Sequence, residues 1–314
     1  MILGPLELNA QLIQHLDAGE AESVLKDSTE LIVGWNDLSG VDNNAVASKG
    51  KVYYHNSNPE DGRAWIDFGD EQNSLQLFGA DSSDNWLDQS TGNAGFCVLL
   101  SFKITRIIGN WNDLFGNSSA VSQGFGLRYG DNGNIQAYLG GKTINKNGEN
   151  LSAGDRVVYA FNYNAITGSY EFWDSKNNSS VSGTIANMDF SLASPVTLGA
   201  TSGDARYFDG MVGEVKIFEN SLSQEEFFSE RQKLLLKWVV EDYETEAPTP
   251  NPASFSVPPK AISGSLVAMC ASTGSDSHEP VVLEIHLTTE VLPVRILFPP
   301  VNYTFIALIE HPFQ

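Results

Sequence analysis

Short alternating runs on either side of hairpin signals constrain this chain more than any other feature. FGLRYG and NIQAYLGG flank DNGN, whose Asn-Gly pair favours a tight hairpin. RVVYAFNYN and SYEFWDS flank NAITG, where Gly168 suits the turn. FCVLLSFKI is continuously apolar, the pattern of a strand buried on both faces. With VTLGA and MVGEVKIF these runs predict roughly ten short strands. Two segments read as helical: GEAESVLKD, and LSQEEFFSERQKLLLKW, where Ser223 caps and Glu226 stands three residues on. Many short antiparallel strands without βαβ alternation predict an all-β, two-sheet jelly-roll sandwich with a short C-terminal helix. Val98, Leu100, Phe102, Val215 and Ile217 are its expected core.

The composition supports such a core and limits the partners. Of 314 residues, 41% are hydrophobic and 11% aromatic, enough for a packed interior. Asp and Glu number 39 against 18 Lys and Arg. A net charge of −21 repels nucleic acid phosphates and anionic membranes, since binding either relies on basic side chains. Such acidity suits an extracellular surface or one that collects divalent cations. The two cysteines, Cys97 and Cys270, both lie in apolar runs and read as small core residues. No CxxC or Cys/His cluster marks a zinc site. MILGPLELNAQLIQ has neither the basic start nor the small-residue cleavage site of a secretory leader. VLPVRILFPPVNYTFIALI holds Arg295 and three prolines, so membrane insertion is not expected.

The pattern changes at EDYETEAPTPNPASF, where Pro248, Pro250 and Pro252 make a stiff linker over 241–252. Beyond it SLVAMCAS, PVVLEIHL and NYTFIALI predict a small second β module over 253–314.

The opening QLIQHLDAGEAESVL, the loop LIVGWNDLSGVDNNAVASKGKVYY and the span FDGMVGEVKIFENSLSQEE follow one another in a suggestive order. In that order they resemble the bacterial laminin G-like jelly rolls of the concanavalin A-like lectin/glucanase superfamily. The resemblance covers about residues 6–238 and implies the jelly roll for 1–240. It does not imply one ligand, because the superfamily hosts lectins, enzymes and interaction modules. Relatives carry Phe-Asp-Gly before the strand that follows the first loop. This chain has Trp65-Ile66-Asp67-Phe68-Gly69 instead, so only Asp67 matches an acid of that motif. PNPASFSVPPKAISGSLVAMCAS is similar to the start of the fibronectin type III-like repeats that follow such jelly rolls.

The laminarinase-type enzymes of this fold use Glu-x-Asp-x-x-Glu, whose even spacing puts the first Glu and the Asp on one strand face; no Glu-x-Asp occurs in this chain. No catalytic residue is therefore assigned. Glu214 shares a strand face with Lys216 and Phe218, opposite Val215 and Ile217. It reads as a strand acid paired with a neighbouring base. The other reading joins Glu214 with Asp209, and with Asp67, in a calcium site fed by Asp-rich turns. Trp111 in GNWNDLFGNSS and Trp86 in SSDNWLDQS are read as lying in polar loops and are the candidate sugar platforms. Trp35 and Trp173 lie within strand patterns and are expected in the core. The function expected is non-catalytic recognition or adhesion outside the cell, with a glycan or a surface protein as partner. The alternative is a carbohydrate-active enzyme, glycoside hydrolase or polysaccharide lyase, or the accessory domain of one.

Overall fold

The computed structural model describes residues 10–69, 71–78, 95–109, 111–117, 124–185, 195–200 and 206–240, with the backbone of three later strands. The chain divides into two compact units, Met1–Glu241 and Asp242–Gln314.

The first unit begins with β1 (Gln11–Asp17), a 3-10 turn (Ala21–Ser23), β2 (Val24–Lys26) and β3 (Ile32–Trp35). There follow β4 (Ala45–Lys49), β5 (Tyr53–His55), β6 (Trp65–Asp67) and β7 (Ser74–Gln76). The long β8 (Gly95–Arg106) leads to β9 (Trp111–Gly116), β10 (Phe125–Gly130), β11 (Ile135–Leu139) and β12 (Lys142–Lys146). The remaining elements are β13 (Arg156–Asn164), β14 (Ser169–Asp174), β15 (Ser179–Thr184), β16 (Thr197–Leu198), β17 (Asp209–Glu219) and α1 (Gln224–Trp238).

These strands form two antiparallel sheets. Sheet A runs β15-β14-β13-β8-β17-β6-β5 with β1 also on β17, and sheet B runs β12-β11-β10-β9-β16-β7-β4-β3-β2. Together they make the sandwich expected of a jelly roll. The second unit holds β18 (Phe255–Ala261), β19 (Leu266–Ala271) and β20 (Ala307–Glu310) in one antiparallel sheet. PVVLEIHL lies outside the described residues.

Alternation along β8 explains its continuous apolar sequence. Val98, Leu100 and Phe102 stand across from Ile217, Val215 and Val212 on one side and Phe161, Tyr159 and Val157 on the other. All are buried, and Phe96 and Phe102 reach sheet B at Phe125 and Tyr129. The other face of β8, with Cys97 and Leu99, is buried too, because α1 lies over it. A strand covered on both sides must be apolar throughout.

Ser223 caps α1: its hydroxyl accepts the Glu226 N–H while the Glu226 carboxylate accepts the Ser223 N–H. Asn162 fastens the entry to the helix, donating to the Leu222 carbonyl and accepting the Leu222 N–H, both at 2.9 Å. At the other end Trp238 is buried against Trp65, and a Cβ on Gly213 would lie 2.4 Å from the Trp238 ring.

Two local expectations change. GEAESVLKD forms only the 3-10 turn and then β2, because Val24 is buried and pairs with Trp35 in sheet B. Phe208-Asp209-Gly210 reads in the sequence as a turn before the strand, but Gly210 belongs to β17 itself. Its missing side chain makes room for Phe208, whose Cζ would lie 2.4 Å from a Cβ there. In the loop W-N-D-L-S-G-V-D-N-N-A, the Asp37 carboxylate accepts the backbone N–H groups of His15, Ser39 and Asn43 and the Ser39 hydroxyl. That acid organises the chain between β3 and β4.

Candidate functional site

The inner side of sheet B is fixed by Phe125, Leu127 and Tyr129, so the alternate residues point away from the sandwich. Register then places one set of polar and aromatic side chains together on the outer face. Arg128 stands across from Asp113 on β9 and Gln136 on β11, Gln136 stands across from Asn145 on β12, and Trp111 stands across from Gly130.

Arg128 is the centre of this set. Its guanidinium carbon lies 4.0 Å from the Trp111 ring centroid and 4.1 Å from that of Tyr138, so the cation sits between two aromatic faces. Its Nε donates to Gln136 Oε1 at 2.6 Å, and Gln136 Nε2 donates in turn to Asn145 Oδ1. Arg206 Nε approaches Asp113 Oδ2 at 3.7 Å, which adds a second guanidinium beside the face. Trp111 is half-buried, while Arg128, Gln136 and Tyr138 are nearly covered. The Tyr138 hydroxyl is buried and has no hydrogen-bond partner among the described residues. The result is a flat ring with an amide ladder beside it, locked by a planar cation.

Of the two tryptophans expected in sugar-contacting loops, Trp111 instead opens strand β9, paired with Gly130 of β10, and Trp86 lies outside the described residues. Trp35 and Trp173 are core residues. Sequence reasoning missed Arg128, Gln136, Tyr138 and Asn145. Their signal was present in FGLRYG and NIQAYL, where polar or amphipathic residues alternate with Leu127, Tyr129, Ile135 and Ala137. Using it required knowing which face of sheet B is inside.

The three acids named for calcium do not form one donor set. Among the described residues the His, Cys, Asp and Glu groups close enough to share an ion are His15, Asp17 and Glu214, with ligand atoms within 4.8 Å of one another. Asp209 is held by Arg106, Nε to Oδ2 at 2.7 Å, and Asp67 by His55 at 2.9 Å. Glu214 lies under α1. His15 Nε2 is 2.9 Å from Oε1, the Trp238 Nε1–H donates to Oε2 at 2.8 Å, and Lys237 Nζ is 3.1 Å away. Lys216 lies 3.5 Å away, and Lys237 also binds Asp17.

Burial alone pushes the Glu214 carboxyl up. The His15 hydrogen bond, the Lys237 charge, the Trp238 N–H and the Lys216 charge outweigh it and hold the group at about 2. An acid so held stays ionised at neutral pH and is unsuited to donate a proton. Two ammonium groups and an imidazole around these carboxylates also do not fit calcium, which takes six to eight oxygens. The cluster is a clamp joining β1, β17 and α1.

No curated protein matches this sequence. Among solved structures, the botulinum neurotoxin serotype D binding domain aligns with a TM-score of 0.52 at 13% identity, over 95% of this chain and 70% of that one. Domain 4 of an extracellular arabinanase from Geobacillus stearothermophilus, solved with arabinotriose, gives 0.49 at 14% identity over 70% and 98%. The Ruminococcus gnavus IT-sialidase CBM40, solved with alpha2,3 sialyllactose, gives 0.42 at 12% identity over 53% and 95%. At such identities the likeness concerns the fold. Residues 78–227 match the family model of the concanavalin A-like lectin/glucanases superfamily, which supports a jelly-roll lectin/glucanase domain in this part of the chain.

Proposed function

We propose that the first unit is a glycan-recognition module acting outside the cell, and that its binding surface is the outer face of sheet B around Trp111, Arg128 and Tyr138. The observation that carries this reading is the stack itself. Arg128 holds Trp111 and Tyr138 rigid, so a sugar ring stacks on an aromatic surface that loses little freedom on binding. Asn145, exposed on the same face and held by Gln136, supplies the polar group that fixes orientation. The acidic surface agrees with an extracellular setting, and no described helix is long and apolar enough to cross a membrane. The second unit, with its three-stranded antiparallel sheet, fits a partial fibronectin type III-like spacer.

Glycan-array screening of the purified chain, with and without calcium, tests the proposal. Trp111→Ala should weaken binding to any glycan hit by about tenfold or more while leaving the melting temperature nearly unchanged. Undiminished binding by the Trp111→Ala and Asn145→Ala variants would remove sheet B from the account.

A further inference from the structure

At one rim of the sandwich, charged side chains enter the space between the sheets. Lys146 ends β12 opposite Ile135, on the inward side of sheet B. Asp174 ends β14 opposite Tyr159, on the inward side of sheet A. Glu149 follows β12 by three residues. The side chains of Lys146, Glu149 and Asp174 are 3%, 5% and 0% exposed. Lys146 Nζ contacts Asp174 Oδ2 directly, Glu149 Oε1 at 2.8 Å and Ser179 Oγ at 2.6 Å. The Asn177 backbone N–H donates to Asp174 Oδ1 at 3.2 Å, and the Asn177 side-chain amide donates to Glu149 Oε2.

As three ionised groups this cluster is costly. Charged residues are seldom fully buried, and two carboxylates facing one ammonium leave an excess negative charge out of water. Burial holds the Lys146 ammonium below its usual range, which favours the neutral amine. Passage of one proton from the Lys146 ammonium to the Asp174 oxygen it touches leaves an amine beside a carboxylic acid, with Glu149 on the same nitrogen, and that is an arrangement for condensation.

We propose that Lys146 and Asp174 join spontaneously in an intramolecular amide bond, with Glu149 as the proton carrier. The Lys146 Nζ lone pair attacks Asp174 Cγ and the C–N bond forms. The Asn177 N–H stabilises the oxygen of the tetrahedral intermediate. Glu149 takes a proton from the nitrogen and gives it to the departing Asp174 hydroxyl. The C–O bond breaks, one water leaves, and Glu149 ends in the protonation state in which it began. Lysine and carboxylic acid thus become amide and water with no oxidant or cofactor. Two buried charges vanish, and an edge strand of sheet B is tied covalently to sheet A. This inference is independent of the glycan face.

Intact-mass spectrometry of the denatured wild-type chain tests it. The expected mass is one water below that of the sequence, and a tryptic digest should contain a branched peptide joining Lys146 to Asp174. Lys146→Arg and Asp174→Ala should restore the full sequence mass. Glu149→Gln keeps both bonding partners and should also give the full mass. A folded wild type, shown by its near-ultraviolet circular dichroism, with the full sequence mass and trypsin cleavage after Lys146 overturns the bond. Water loss that persists in Glu149→Gln overturns the role given to Glu149.

Discussion

At position 214 strand alternation points a carboxylate away from the sandwich, and α1 buries it there with two lysines, a histidine and an indole N–H. Glu214→Gln removes the charge that these groups converge on and leaves the bases underneath the helix less well paired. Such a change costs about 2 kcal/mol or more, read as a lower urea midpoint at unchanged slope. The same group sets an acid limit. Its carboxyl lies near 2 in the folded chain against 4.5 for the free side chain. Its contribution is therefore fully present above 4.5 and is lost as pH falls through about 2. Between those values the wild type should lose stability more steeply than Glu214→Gln, in urea titrations at each pH. Parallel pH curves for the two proteins would show that Glu214 is not the group responsible.

Strand β8 and helix α1 depend on each other. Phe102 meets Tyr159, Tyr129 and Phe208 on the inner side of β8, and Phe102→Ala should cost about 3–5 kcal/mol. Ser223→Ala removes the capping box and should cost about 1 kcal/mol, a smaller fall in melting temperature. Equal effects of the two would mean that the helix, not the aromatic core, limits stability. Both features were legible in the sequence, because an apolar run and a Ser-x-x-Glu signature are local. The hairpins at DNGN and NAITG were legible for the same reason, with Gly133 and Gly168 at positive φ. What the sequence hid is long-range. Arg128 meets Trp111 and Tyr138 only through the register of three strands, and Lys146 meets Asp174 only because two sheets close on each other. GEAESVLKD misled for a related reason: the burial of Val24 in sheet B outweighed its helical look.

Across the first unit, the helix converts an open sandwich face into a sealed one, and its last turn is where the sealing is completed. Arg63 donates to the Lys237 and Val240 carbonyls, so the seal runs to residue 240 and a chain ending at Glu241 retains it. That chain contains a single cysteine, Cys97, which is fully covered beneath α1 and whose thiol burial pushes up. A thiol reagent therefore reports helix docking directly. In residues 1–241 Cys97 should resist labelling until the unit unfolds globally. Trp238→Ala removes the contact with Trp65 and the N–H on Glu214, so it should open the helix locally and raise the labelling rate well before the core melts. Rapid labelling of the 1–241 chain itself would mean that the helix needs more of the chain than its own sheet to stay docked.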